Sequence, residues 1–228
     1  LIARLALLPG MEQTAIGTQS DIPLLSNVNN PQPFSLLDEV QRQDNDRAAE
    51  FGAVSARYFD ALKTPLKTGR VFTDHDADSS ARVVVVNEAF VRRFSPQRDV
   101  VGRRVRYVLR GGRYEAEIVG VVGDVRNDGL DVAPPPRVYQ SILQYPIVRL
   151  AVFLRARSEV DVKAKREALT ATVDSINPEL PVFGVRTMAE LRSASMARRQ
   201  FSLFLMSVFA AVALLLAALG IYGVMGFV

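Results

Sequence analysis

The last 28 residues, Phe201–Val228, read FSLFLMSVFAAVALLLAALGIYGVMGFV and carry no charged side chain. About 20 apolar residues suffice to cross a bilayer as a helix, so this stretch has the composition of a membrane span. As a helix it would run about 42 Å at roughly 1.5 Å per residue, against a hydrocarbon core of about 30 Å. It must then tilt or project at one end. A buried core helix is the competing reading, but such helices rarely stay apolar all round for so long. Everything before Phe201 is therefore read as a soluble region tethered to a membrane.

The sequence starts at Leu1 and stops inside the apolar run, as expected of a segment of a longer protein. The roughly 200 residues before the run can form one large domain or two small ones. Cys is absent, which removes disulfides, thiolate catalysis and Cys-based zinc sites together. The net charge is +4, from 28 basic and 24 acidic residues. That balance invites a nucleic-acid or anionic-surface partner. The densest basic group, however, is Arg103, Arg104, Arg106, Arg110 and Arg113, on what reads as a β-hairpin. Arg104 and Arg106 alternate there with Val105 and Tyr107, the pattern of a solvated strand face; a phosphate-binding patch is the alternative. Leu1–Leu8 is too short for a span, and its Arg4 does not suit a signal peptide.

Along the chain, Leu1, Leu5 and Leu8 share one face of a short helix that Pro9-Gly10 ends. Met11–Thr18 reads as a strand. Ser20–Asp46, rich in Asn, Pro, Gln and Asp, reads as a long exposed loop or an irregular extended passage. Ser55 is placed to cap a helix carrying Tyr58, Phe59 and Leu62, which Pro65 stops. Thr68-Gly69-Arg70 reads as a turn. Val83–Val86 is a short apolar strand, and Asn87 caps a helix that offers Ala89, Phe90 and Phe94 to a core. Val101–Leu109 and Tyr114–Val125 read as paired strands about a turn at Gly111-Gly112. Pro134–Pro136 is a rigid connector before a strand at Val138–Ser141.

The final soluble part reads as a β–α–β unit. Its parts are a strand at Val148–Leu154, an amphipathic helix at Val160–Ile176 and a strand at Pro181–Arg186. On the helix Val162, Leu169, Val173 and Ile176 form one stripe. Thr187 and Glu190 then fit a capping box at a helix start. No Pro follows Thr187, and no Gly until Gly220, so Met188–Gln200 can run unbroken into the apolar run. The expectation is a rigid rod leading from a folded domain into a bilayer. Within the run Gly220, Gly223 and Gly226 recur every three residues, and Ala213 and Ala217 form a small-x-x-x-small pair. Together they leave a smooth face against which another helix could pack.

The search for chemistry returns little. There is no G-x-x-x-x-G-K-[ST] phosphate loop and no G-x-S-x-G nucleophile elbow. His75, the one His, lies in Asp74-His75-Asp76-Ala77-Asp78. Counted as a calcium loop from Asp74, that stretch has Ser79 where Gly belongs and Val85 where Glu belongs, so half the ligand set is missing. Glu115 and Glu117 share a strand face and read as surface residues. Asp124, at a strand end, reads as a turn residue.

Several passages, taken in order, resemble one family. They are Tyr58-Phe59-x-x-Leu62 leading to Gly69-Arg70-x-Phe72; Val83–Glu88 with Phe94 ahead; and Val101-Gly102-Arg103-Arg104. Ile118–Val125, Pro136-Arg137-Val138-Tyr139, Asn177–Pro181, Arg186-Thr187-Met188 and Gly220–Met225 follow. Their order resembles the extracytoplasmic core domain and following span of MacB/FtsX-like ABC transporter permeases, above all the acidobacterial-type duplicated orphan permeases.

The resemblance implies an α+β, two-lobed extracytoplasmic domain followed by a transmembrane α-helix. A porter-like βαβ lobe would use residues 1–50 and 145–186, with a smaller β-rich lobe, 51–144, inserted. A stalk helix, 187–200, and the transmembrane helix, 201–228, would follow. It also implies a bacterial inner membrane with the soluble domain on the periplasmic side. The implied partners are a cytoplasmic ABC ATPase, a second permease half or homodimer mate, and a periplasmic partner protein. ATP would bind on a separate or missing ATPase domain, and this segment would hold no cofactor and no catalytic residue. The ATPase would move the extracytoplasmic domain to export a substrate, a motion called mechanotransmission. Arg198 and Arg199 beside the run argue the other way, since positive flanks favour the cytoplasm. Two Arg side chains can snorkel to either headgroup layer, and the resemblance is given the greater weight. The alternative function is a membrane-tethered regulatory module that recruits or activates a periplasmic partner. A membrane-anchored enzyme and a nucleic-acid binder are the weaker rivals.

Overall fold

The computed structural model describes residues 11–25, 31–38, 47–97, 99–109, 112–127, 129, 132–145, 149–156, 162–176, 182 and 184–225. The helix expected over Leu1–Leu8 lies outside them, as does Gly226. Two compact units are present, residues 1–185 and 186–228. Among the described residues the first unit holds nine strands. They are β1 (Met11–Thr18), β2 (Gln32–Leu36), β3 (Ala48–Val54), β4 (Leu66–Gly69), β5 (Val83–Asn87), β6 (Arg104–Leu109), β7 (Gly112–Val122), β8 (Arg137–Ser141) and β9 (Leu150–Ala156). Helices α1 (Tyr58–Leu62), α2 (Glu88–Phe94) and α3 (Val162–Ile176) complete it.

Six strands close on themselves. The pairing order runs β2-β6-β7-β5-β8-β3, and β3 pairs back to β2 through Gln32↔Ala49 and Pro33↔Ala48. Closure removes two exposed edges, which an open sheet of this size would have to protect. The side chains that alternate inward are apolar. Phe34 and Leu36, Ala49 and Ala53, Val84 and Val86, Val105 and Tyr107, Ala116 and Ile118, and Val138 form one buried cluster with Phe90 of α2. The opposite parity of the same strands faces outward. There Val54, Val83, Val85, Val122 and Tyr139 are covered by Tyr58, Phe59 and Ala61 of α1 and by Ala15 of β1. This explains why the sequence at 83–86 is apolar at every position: both faces of β5 are buried. β1 and β9 form a two-stranded antiparallel ribbon, paired from Met11↔Ala156 to Thr18↔Leu150. The ribbon meets the barrel's strands through the single pair Gly17↔Val54.

The structure corrects several expectations. Within 20–46, residues 32–36 form a regular barrel strand rather than an exposed or irregular passage, with Phe34 5% and Leu36 3% exposed. Composition misled here because Asn and Pro flank the strand. Phe34 packs tilted against Phe90 and edge-on against Phe94, at centroid distances of 5.0 and 4.9 Å. Ser55 does not cap α1; Arg57 occupies the cap position, and the Ser55 hydroxyl accepts from the Ile16 N–H at 3.0 Å. Thr68-Gly69 belongs to β4, paired with Val121-Gly120 of β7, rather than to a turn. Gly69 takes φ +72°, and a Cβ there would overlap the Val119 carbonyl. Among the described residues no strand follows α3, so the second strand of the β–α–β unit is not formed at 184–186. The division expected at 50/51 falls inside β3, and β2 from the first segment is a barrel strand. Asn87 caps α2, accepting from the Phe90 N–H at 3.0 Å, and Leu169 and Val173 are the buried positions described on α3.

The second unit contains one helix, α4 (Met188–Met225), 38 residues long. The side chains described in its apolar part are those of Leu205–Ala217 and Leu219, all exposed. Over the described residues, no helix is long and apolar enough to cross a membrane.

Truncating Phe34 to Ala removes a ring from the centre of the closed barrel. We expect Phe34→Ala to cost about 3–5 kcal/mol of unfolding free energy, measured by urea denaturation, where a loop residue would cost almost nothing.

Candidate functional site

Of the residues singled out in the sequence, Thr187 and Glu190 lie at the start of α4. The Thr187 N–H donates to Glu190 Oε2 at 2.7 Å, and the Glu190 N–H donates to Thr187 Oγ1 at 3.1 Å. This reciprocal pair satisfies two backbone donors that a helix start leaves open. From there α4 continues through Ala213, Ala217, Gly220 and Gly223 with no break in its backbone. Ala213 and Ala217 are exposed one turn apart. Leu214, Leu215 and Leu216 are 72%, 65% and 64% exposed. Three consecutive helical positions point about 100° apart, so α4 is apolar around most of its circumference here.

The acidic residues take supporting roles. Asp124 accepts from the Ala89 N–H at 2.9 Å and from Arg92 at 2.7 Å, so it fastens the first turn of α2 to the end of β7. Asp76 accepts both guanidinium nitrogens of Arg70 at 2.8 and 2.9 Å and the Thr73 N–H at 2.8 Å. Burial alone would raise its pKa, but Arg70 and the Thr73 donors outweigh this and hold it below the ordinary 3.8. Glu115 is paired with Arg104 and Arg106, and Glu117 is exposed on the same strand. Among the described residues no group of three His, Cys, Asp or Glu is placed to hold a metal ion.

The strongest electrostatic feature was not singled out in the sequence. Glu50 and Arg137 are paired across parallel β3 and β8, on the barrel's outer face, and their side chains form an ion pair. Arg137 reaches on to Asp21, whose Oδ1 accepts at 2.8 Å, and to the Ser20 carbonyl at 2.8 Å. Exposures are 2% for Arg137, 0% for Asp21 and 5% for Glu50. Asp21 ends a single 3-10 turn, Gln19–Asp21, after β1, and its carboxylate turns back to accept from the Thr18 N–H at 3.0 Å. Its own carbonyl accepts from the Tyr58 hydroxyl at 2.8 Å. The carboxylate lies over Gly52 of β3, where a Cβ would overlap it. Burial pushes the Asp21 carboxyl above 3.8 against the opposing pull of Arg137. Arg137 is raised although burial alone would lower it, because Tyr139, Asp21 and Glu50 favour its cation. Two faint signals existed: Arg137 sits between Pro136 and Val138-Tyr139, and Glu50 between Ala49 and Phe51-Gly52. A charge inside an apolar strand requires a buried partner, but sequence alone does not say which.

Against known proteins, the family described as MacB-like periplasmic core domain matches residues 9–172. Two solved structures share the fold. The periplasmic region of MacB from Actinobacillus actinomycetemcomitans is 16% identical, with a TM-score of 0.53, covering 77% of this chain and 72% of that one. The extracellular domain of the noncanonic ABC-type transporter YknZ from Gram-positive bacteria is 14% identical, with a TM-score of 0.56, covering 82% and 87%. No curated protein sequence matches.

Two tests follow from the buried charges. Arg137→Met leaves two carboxylates without their cation and should cost about 3–5 kcal/mol, whereas Asp21→Asn, Glu50→Gln and Arg137→Met combined should cost far less. Asp21 binds its proton more tightly folded than unfolded, so its stabilising contribution is present below 3.8 and is lost as pH rises through the raised value. The stability of the parent chain relative to Asp21→Asn should therefore decline over that window in urea titrations. Relative to Asp76→Asn it should rise as pH climbs from the depressed Asp76 value to 3.8.

Proposed function

The chain belongs to the MacB-like periplasmic core domain family, and we propose that it is the extracytoplasmic domain of an ABC-type permease, followed by a membrane-spanning helix. A cytoplasmic ATPase moves the domain in order to export a substrate. The family is one of permease components rather than enzymes, so motion instead of bond-making is the activity to account for. The observation that carries the reading is α4. It begins at a capped turn, Thr187–Glu190, and runs unbroken as helix through Met225.

The physics of that helix supports a mechanical role. From Phe201 to Met225 it has no charged residue, and the exposed Leu214–Leu216 leave it apolar around most of its girth. Water does not solvate such a surface cheaply, at about 25 cal/mol per Å² of apolar area, and a bilayer does. Counted over the whole uncharged stretch Phe201–Met225, beyond the side chains described at Leu205–Ala217 and Leu219, the helix runs about 38 Å at about 1.5 Å per residue, the length of a tilted crossing. A helix with no Pro before its end transmits displacement along its axis better than a loop would. In this reading Ala213, Ala217, Gly220 and Gly223 form the surface against which a neighbouring helix of the permease packs. The domain then lies on the periplasmic side of a bacterial inner membrane, with a second permease half or a homodimer mate beside it. Of the two lobes, we assign the barrel to the inserted one and the β1–β9 ribbon with α3 to the porter-like one.

Inserting Gly-Gly between Ala197 and Arg198 breaks the rod without touching either end. The expected result is ATPase activity that persists while transport falls towards background, measured in reconstituted vesicles. Transport and ATPase activity that stay coupled after the insertion would remove the rod from the mechanism.

A further inference from the structure

The β1–β9 ribbon is held to the barrel by three kinds of contact, and they differ in how sharply they fix direction. The first is the strand junction, one residue pair at Gly17↔Val54 with the flanking exchange between Ile16 and Ser55. The second is mainly apolar, Phe153 of β9 packing edge-on against Tyr58 of α1 at 5.2 Å, with one polar contact, Arg155 donating to the Ala61 carbonyl at the end of the same helix. The third is Asp21, at the turn that leaves β1, bound to Arg137 on β8.

A single strand pair is a swivel, because it is the run of successive pairs that fixes the angle between two strands. Apolar packing resists separation and tolerates sliding, since it has no preferred direction. A guanidinium fork does not tolerate sliding: its donors meet carboxylates in one plane and at one distance. Here the fork joins three elements at once, the Ser20-Asp21 turn, β3 through Glu50 and β8 itself. The seat for it is cut into the barrel at Gly52, the one β3 position where the absence of a Cβ admits the Asp21 carboxylate. Replacing buried ion pairs by apolar groups is often neutral for stability, so stability alone gives little reason for three buried charges at this joint. Fixing one geometry among several of similar energy does.

We infer that Arg137 is a clasp that fixes the angle of the β1–β9 ribbon on the barrel, and that releasing it lets the ribbon pivot about Gly17 and Val54. The clasp is a property of the first unit alone and does not depend on the transport reading. It converts a joint that would otherwise be a swivel into one with a single rest position.

The chain has no Cys, so two spin labels can be placed without background. Glu12→Cys on β1 and Glu117→Cys on β7 are both exposed. In the full chain the label-to-label distance, measured by pulsed electron resonance, should be one narrow distribution. The combined variant Asp21→Asn, Glu50→Gln, Arg137→Met should broaden it at least twofold or move its centre, with the far-ultraviolet dichroism unchanged. Arg137→Lys, which keeps the charge and loses the fork, should broaden it by a smaller factor. Should the combined variant fail to fold, Arg137→Lys decides the matter. A folded variant with the parent distribution would overturn the clasp.

Discussion

A cation with no access to water, held between two carboxylates, is the constraint on which the first unit depends. Arg137 can occupy its place only if Asp21 and Glu50 are delivered to it, and each comes from a different part of the chain. Glu50 comes from the strand paired directly alongside, so the β3–β8 register fixes it. Asp21 comes from a turn 116 residues away in sequence, and it arrives only because β1 ends in that turn and β3 has Gly at 52. Burial pushes the Asp21 carboxyl up, against the opposing pull of Arg137. Thr18 and Tyr58 supply the remaining hydrogen bonds around that turn. A partly satisfied arrangement of this kind would cost more than an apolar one, so its members stand or fall together.

The barrel supplies the rigid side of the joint. Its closure depends on β2 bonding both β6 and β3, with Phe34 and Leu36 filling the interior. Because the six strands form a ring, β3 and β8 cannot slide past one another without disturbing the ring's other five pairings. The Glu50–Arg137 pair is thereby held in register. The second parity of the same strands builds the outer core with α1, and the clasp lies at the margin of that outer layer.

Much of this was legible in the sequence, and the reasons are local. Val83–Asn87 announced a buried strand and a cap, and Asn87 fills both roles while also accepting from the Arg137 N–H at 2.9 Å. Thr187 and Glu190 announced a helix start because a capping box is defined within four residues. What failed was non-local. β2 is five residues set among Asn, Pro and Gln, and its partners are remote in sequence, so nothing nearby marks it as core. Thr68-Gly69 looked like a turn because Gly favours turns, whereas here Gly69 permits close approach to the Val119 carbonyl. Ser55 has the spacing of a helix cap, but a long-range donor, the Ile16 N–H, claims its hydroxyl. The clasp was invisible for the same reason: its three charges come from three segments far apart in sequence.

The second unit rests on different physics: α4 leaves the apolar side chains of Leu205–Ala217 exposed, and the proposed bilayer supplies them with an apolar solvent. Its reading as a span, and that of the domain as extracytoplasmic, meet in one experiment on topology. A membrane-impermeant maleimide applied to intact spheroplasts can probe Thr68→Cys, exposed on β4, and Leu214→Cys, on α4, each as the chain's only thiol. The account predicts that Thr68→Cys is labelled at once from outside, while Leu214→Cys stays unlabelled until detergent is added. Labelling of Thr68→Cys only after the inner membrane is opened would contradict it.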